Sequence, residues 1–480
     1  MTFNSSVFAI FFLIVYGLYL LLQTRHRLQN TMLLIASYVF YGWWDWRFLS
    51  LLFVSTILDY YCGMWIEDSE DPKRRKFFIT LSVSGQLLLL GFFKYYNFFI
   101  HNLQHLLTAL GFQAELFHLN VILPVGISFY TFQTMSYTLD VYYKRIGACR
   151  NLIDFALYVT YFPQLVAGPI ERSTNLLPQM MNRRTVTKDD IVQGIHFMFW
   201  GFFLKIFVAD NLAKLADPVF SSTAPYRGSE VLMATYAFAF QIYGDFAGYS
   251  IIAIGCAKMM GVSLMYNFKW PYFSKNIAEF WRRWHISLSS WFRDYMFSPY
   301  YMKIDKSDRF RNLSYKARHN VIFFISLMVT ELLLGFWHGA NWNFGLFGVY
   351  HALLIWLYYS FRKYWDRMPD FLQVFVMFQL VCYGWLIFRV RSMPQLWRMT
   401  SALFFNFQLI PHIGLKTMAL RIVSFTFLII LIEIYESKKN DTLALVKWPV
   451  PARLFLYVTF FCLMAIWGNF EERQFIYFQF

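Results

Sequence analysis

Apolar residues run along this chain in long unbroken blocks, separated by short polar connectors. Twelve blocks stand out, at 7–23, 31–46, 48–66, 77–100, 119–143, 191–209, 231–257, 320–337, 344–360, 371–388, 420–436 and 452–468. A helix needs roughly 20 apolar residues to cross the hydrocarbon of a bilayer. Spanning strands would instead alternate apolar and polar positions over about 10 residues. The pattern therefore predicts an all-α, polytopic integral membrane protein with about 11–13 helices. The first block, Val7 to Gln23, lacks a basic leading segment and a small-residue cleavage site, so it reads as a retained span rather than a signal peptide.

Two further apolar segments do not fit a simple crossing. In 152–170, Pro163, Gly168 and Pro169 break any helix, and basic loops lie on both sides. The segment 278–301 is bracketed in the same way, ending in Lys303, Lys306, Arg309, Arg311, Lys316 and Arg318. Both read as re-entrant or interfacial, since non-helical backbone at membrane depth survives only where protein or a wet cavity satisfies it. Arg25 and Arg27, the run Lys73 to Lys76, and Lys144, Arg145 and Arg150 follow alternate spans, whereas the loop 101–118 has neither Lys nor Arg. Basic loops mark the cytoplasmic side, so the N-terminus is expected outside.

Composition sharpens this picture. Of 480 residues 58% are hydrophobic and 15% charged, against about a quarter charged in soluble domains. Aromatic residues reach 22%, which suits belts at both interfaces. The net charge of +15 is accounted for by basic loops, without nucleic acid as a partner. The five cysteines are scattered, with neither a disulfide framework nor a zinc spacing, and no metal is expected. With no strong repeat and no soluble-sized polar stretch, one membrane domain, 1–480, accounts for the chain.

Ionisable groups inside apolar spans are costly and point to function. Three places qualify. In Glu331-Leu-Leu-Leu-Gly335-Phe-Trp-His338-Gly339-Ala-Asn341-Trp342, His338 ends an apolar run and Glu331 precedes it by two turns on the same face. An imidazole can take a proton from a hydroxyl nucleophile and return it to a leaving group, and Asn341 could steady an oxyanion. The competing reading is a histidine hydrogen-bonded between helices as structural glue. In Trp281 to Asp294, one helical face would hold Trp281, Trp284, Leu288, Trp291 and Tyr295, and the opposite face Arg282, His285, Ser289 and Arg293. That predicts an amphipathic interfacial helix whose arginines meet anionic headgroups and whose His285 either belongs to the same stripe or faces a cavity. In Gln241 to Ser250, Gly244 and Gly248 favour close helix packing. Asp245 there is a hydrogen-bond hub, or orients a histidine as carboxylates do in hydrolytic triads.

The chain has no nucleotide-binding glycine fingerprint, no HExxH and no nucleophile elbow. The stretches it does have, taken together, resemble the membrane-bound O-acyltransferase family. They are Leu123 to Gln133, Phe162 to Ile170, Gly244 to Ser250, Trp281 to Arg293, Phe336 to Ala340 and the terminal Phe475 to Phe480. The likeness covers residues 30–390 or so, with C-terminal helices over 395–480, and is nearest to the bacterial branch acting on cell-surface polymers: alginate, peptidoglycan and teichoic acids.

The resemblance implies a ring of tilted helices around a central catalytic cavity. In that setting His338 matches the catalytic histidine and His285 the second recurrent one, with Asn341, Asp245, Glu331, Arg282 and Ser289 in support. It further implies acetyl-CoA or another acyl thioester as donor substrate, no bound cofactor, and Arg311 and Arg318 as attractants for the donor's phosphates. A polysaccharide acceptor, membrane lipids and a separate extracytoplasmic acyltransferase would be the partners, in a bacterial cytoplasmic membrane. Two alternatives stand beside this reading: a transporter or flippase without covalent chemistry, and a family relative acylating lipid or protein hydroxyls.

Overall fold

A computed structural model describes residues 1–112, 116–119, 121–166, 168–408, 413–471, 473, 475 and 476. Every regular element among the described residues is helical. Nine stretches among them are long and apolar enough to cross a membrane: 26–68, 72–109, 188–221, 228–259, 315–338, 342–365, 370–389, 414–439 and 450–467. The chain is thus an all-α polytopic membrane protein, as its apolar blocks predict.

The contacts fall into two compact units, 1–198 with 250–265, and 199–249 with 266–480. The first unit contains α1 (Ser6–Leu21), α2 (His26–Asp45), α3 (Leu49–Asp68), α4 (Pro72–Leu90), α5 (Tyr96–Ala109) and α6 (Ile127–Tyr142). It continues through α7 (Leu152–Thr160), α8 (Phe162–Leu165), α9 (Ser173–Met181) and most of α10 (Lys188–Phe202). Two boundaries differ from the sequence expectation. The block at 77–100 does not stop there: a π-helical turn, Gly91–Tyr95, carries it into α5. The block at 119–143 turns helical only at Ile127, because Gly126 before it sits at φ +75°, where a Cβ would meet the Leu165 carbonyl oxygen at 2.7 Å.

A polar seam joins α3, α4 and α6. Asp59 accepts from Ser82 (2.7 Å) and Gln86 (2.8 Å), while Ser82 and Thr138 share a 2.8 Å bond. The segment 152–170 is broken as expected, at Tyr161 between α7 and α8, and protein groups satisfy its freed backbone. Gln133 and Gln164 both donate to the Tyr158 carbonyl, at 2.6 and 3.0 Å, and the Phe162 amide donates to Ser37 Oγ at 3.1 Å. Ala167 in this segment lies outside the described residues.

The second unit opens with a π-helical segment, Phe203–Ala209, that leads into α11 (Asp210–Ser221). Next come α12 (Gly228–Met259, shared with the first unit), α13 (Ile277–Arg283), α14 (Ile286–Phe292) and α15 (Ser298–Asp305). The long hairpin α16 (Tyr315–His338) and α17 (Trp342–Trp365) follows, then α18 (Asp370–Arg389), α19 (Met393–Phe405), α20 (Ile413–Lys439) and α21 (Val450–Trp467).

The single interfacial helix expected over Trp281 to Asp294 does not form. The stretch divides into α13 and α14 at Trp284 and His285, with His285 in the left-handed region at φ 43°. A loop eighteen residues upstream causes the break: Lys269 N donates to the Arg283 carbonyl (3.0 Å) and Ile286 N to the Asn267 carbonyl (2.9 Å). The tryptophan face is covered by protein rather than lipid. Trp284 is fully buried, 4.6 Å ring to ring from Trp385 and 5.0 Å from Phe268.

Candidate active site

Glycines bring α16 and α17 together. A Cβ on Gly335 would overlap the Phe344 carbonyl oxygen, and one on Gly348 the Glu331 carbonyl oxygen. This near-contact of two backbones fixes the end of α16, where His338 is the last helical residue before an extended Gly339. We expect Gly348→Val to push the two helices apart, at about 1–3 kcal/mol of overpacking. A lowered unfolding temperature in detergent would register it, and an unchanged one would mean the hairpin tolerates separation.

His338 is buried in a cage of rings: Trp337 at 4.9 Å, Phe388 at 5.2 Å and Phe347 at 5.8 Å between centroids. His285 is buried too, 4.6 Å from the Phe246 ring and 5.9 Å from Trp337. One indole, Trp337, thus touches both imidazoles, and the tertiary structure brings together two histidines 53 positions apart in the chain. Asn267 fixes the second one. Its Oδ1 lies 3.4 Å from His285 Nδ1 and accepts from Ser287 N (3.2 Å) and Ser287 Oγ (2.7 Å). Burial pulls the His285 imidazole down to about 3, which keeps it neutral near pH 7. A neutral ring beside a fixed acceptor can present its other nitrogen as a hydrogen-bonding group without adding charge.

The remaining expected residues divide. Ser289 helps hold the helix break, donating to the Trp281 carbonyl at 2.8 Å. Glu331 is buried on the α16–α17 seam, and its Oε2 has no hydrogen-bond partner among the described residues. Asn341 caps α17, its Oδ1 accepting from Trp342 N (2.7 Å) and its amide donating to the Arg391 carbonyl (3.1 Å). The bond to Arg391 commits one of the two amide hydrogens to the backbone. Arg282 is exposed. Arg311 pairs with Asp308 (2.6 Å) and Arg318 with Asp305 (3.1 Å).

Asp245 is the hub of a buried charge cluster. Lys205 pairs with Asp245 at 2.7 Å and Asp210 at 2.8 Å, and its ammonium lies 5.4 Å from the centre of the Tyr249 ring. Five residues apart on an α-helix, Lys205 and Asp210 would point roughly 140° away from each other. The π-helical turn between them closes that angle. The C-terminal segment docks here as well: Ile476 N donates to Asp245 Oδ2 at 2.7 Å, and Phe475 packs on Tyr249 (4.9 Å) and Phe246 (5.5 Å). Tyr477 to Phe480 lie outside the described residues.

Sequence reasoning missed Lys205, Asn267 and His351. His351 on α17 is buried 4.4 Å from the Phe347 ring, which also faces His338, and its Nδ1 has no hydrogen-bond partner among the described residues. Lys205 and His351 are ionisable groups inside apolar blocks and were open to the argument that singled out Glu331. Asn267 sits in a loop and gave no such signal.

Residues 39–397 match the profile of MBOAT, the membrane-bound O-acyltransferase family. The chain belongs to that family. This membrane-bound O-acyltransferase is 40% identical over 410 residues to the "Probable alginate O-acetylase AlgI" of Azotobacter vinelandii, covering 84% of this chain and 78% of that one. It is 41% identical over 409 residues to the protein of the same name in Pseudomonas aeruginosa, covering 84% and 75%. With the "Peptidoglycan O-acetyltransferase" of Helicobacter pylori it shares 30% identity over 425 residues, covering 82% and 77%. In this family member the polytopic fold and the buried histidines belong to an acyl-transferring enzyme rather than to a carrier.

Proposed function

We propose that this acyltransferase passes an acetyl group from cytoplasmic acetyl-CoA across the membrane for O-acetylation of an extracytoplasmic polysaccharide. The observation that carries the reading is the convergence of His338 and His285 on Trp337, inside a chain about 40% identical to proteins named alginate O-acetylase. His338 takes the proton of an acceptor hydroxyl as its oxygen attacks the thioester carbonyl. The C–O bond forms, the C–S bond breaks, and His338 returns the proton to the departing thiolate. His285, held by Asn267, positions the reacting carbonyl. The ring cage around His338 keeps water from competing as nucleophile.

In this reading the host membrane is a bacterial cytoplasmic membrane with the N-terminus outside. A separate extracytoplasmic acyltransferase completes delivery to the polymer, since the chain's polar connectors are loop-sized. The test is ester-linked acetate on the host's surface polysaccharide, in a deletion strain complemented with wild type or His338→Ala at matched membrane levels. The proposal expects acetate restored by wild type alone. Equal acetate from both would remove His338 from the chemistry, and acetate unaffected by the deletion itself would move the acceptor to another class of hydroxyl.

A further inference from the structure

Away from the histidines, the second unit holds a cleft of about 700 Å³ between the π-helical segment with α11, α20 and α21. Its size falls within the roughly 300–1,000 Å³ of small-molecule sites. Each wall is a single helical stripe. Phe207, Asn211 and Lys214 come from the first element, Arg421 and Phe425 from α20, and Trp467 from α21.

The ring contacts give the register. Phe203 stacks on Phe460 at 4.5 Å, and Asn211 donates to the Trp467 carbonyl at 2.8 Å, so the first wall runs parallel to α21. Phe207 meets Phe425 at 5.1 Å, and α20 runs back antiparallel to α21 through their hairpin loop. Lys214 and Arg421 therefore lie at one end of the cleft, at the level of Trp467, with Phe207 and Phe425 at the other. A tryptophan ending a span marks the headgroup level.

Among the described residues, the acids near Lys214 have other partners. At helical spacing from it, Asp210 holds Lys205 at 2.8 Å, while Asp217 holds Arg389 at 3.0 Å and Arg473 at 3.3 Å. Glu471, whose carboxyl feels the Lys214 charge, has Arg473 and Asn469 as its bonded partners. The cleft thus presents two exposed cations at the headgroup level above aromatic walls.

We propose that this cleft is a binding site for one anionic phospholipid. Its phosphate would lie between Lys214 and Arg421, and an acyl chain along Phe207 and Phe425. Apolar walls alone would accept any lipid, and the paired cations select for negative charge.

The full chain, purified in detergent, is titrated with phosphatidylglycerol or chain-matched phosphatidylcholine and followed by native mass spectrometry. Wild type is expected to retain phosphatidylglycerol preferentially. Lys214→Gln with Arg421→Gln should weaken that binding roughly thirty-fold, about fivefold for each cation. Lys214→Arg with Arg421→Lys should keep it, which separates charge from folding damage. Equal retention of both lipids by wild type overturns the proposal, as does an unchanged preference in the Gln pair. A second copy of the chain covering the cleft, seen as a dimer mass that excludes lipid, overturns it too.

Discussion

His338→Ala is expected to lower acetyl transfer by the purified enzyme about 10²–10⁴-fold, the span that a positioned acid–base group contributes. The loss should fall on kcat, because the proposed mechanism has the imidazole act on the proton in flight and not on binding of the thioester. His338 packs against the rings of Trp337, Phe347 and Phe388. Alanine there leaves a cavity among those rings, so its stability is measured beside its activity. His285→Gln provides the contrast. Glutamine keeps hydrogen-bonding capacity beside Asn267, so the loss should be smaller and should appear partly in KM. The measurement is initial rate against donor concentration for both variants, with thermal unfolding as the fold control. Equal kcat for wild type and His338→Ala would remove His338 from the proton transfer.

Lys205→Met is expected to do the greatest damage to the fold. Lys205 bridges two buried carboxylates, at 2.7 and 2.8 Å. Removing one partner of a buried ion pair costs about 3–5 kcal/mol, because the charge left behind stays desolvated. Here two carboxylates would be left facing each other. The π-helical turn that aligns Asp210 with Lys205 would lose its reason, and the Asp245 anchor of the C-terminal segment would shift with it. Lys205→Met should therefore fail to accumulate in membranes or unfold well below wild type. Adding Asp245→Asn, which removes one of the stranded charges, should recover part of the loss. A single variant as heat-stable as wild type would show that the cluster is not a structural anchor.

Much of this enzyme is legible without a structure because burial in lipid imposes a one-dimensional rule. Each crossing must be a long apolar helix, so every block such as 320–337 or 452–468 reports its own element, and α16 and α21 follow with edges moved by a few residues. The same rule makes buried charge conspicuous, which is why Glu331, His338 and Asp245 were visible as candidates and why Lys205 and His351 could have been.

What the sequence could not determine is which distant groups compensate one another. Helical periodicity placed His285 in the middle of a polar stripe, whereas hydrogen bonds from a loop eighteen residues away split that helix and left His285 at φ 43° with Asn267 on its ring. Asn341, expected as an oxyanion donor, gives one amide hydrogen to the Arg391 carbonyl, 50 positions on. Arg311 and Arg318, expected to attract phosphates, each have a carboxylate beside them, Asp308 and Asp305. Hydropathy is a property of each residue's own transfer from water, so the chain determines by itself which segments enter the membrane. Pairing of polar groups depends on distances between segments, and so only the tertiary structure decided that His338 and His285 share one indole.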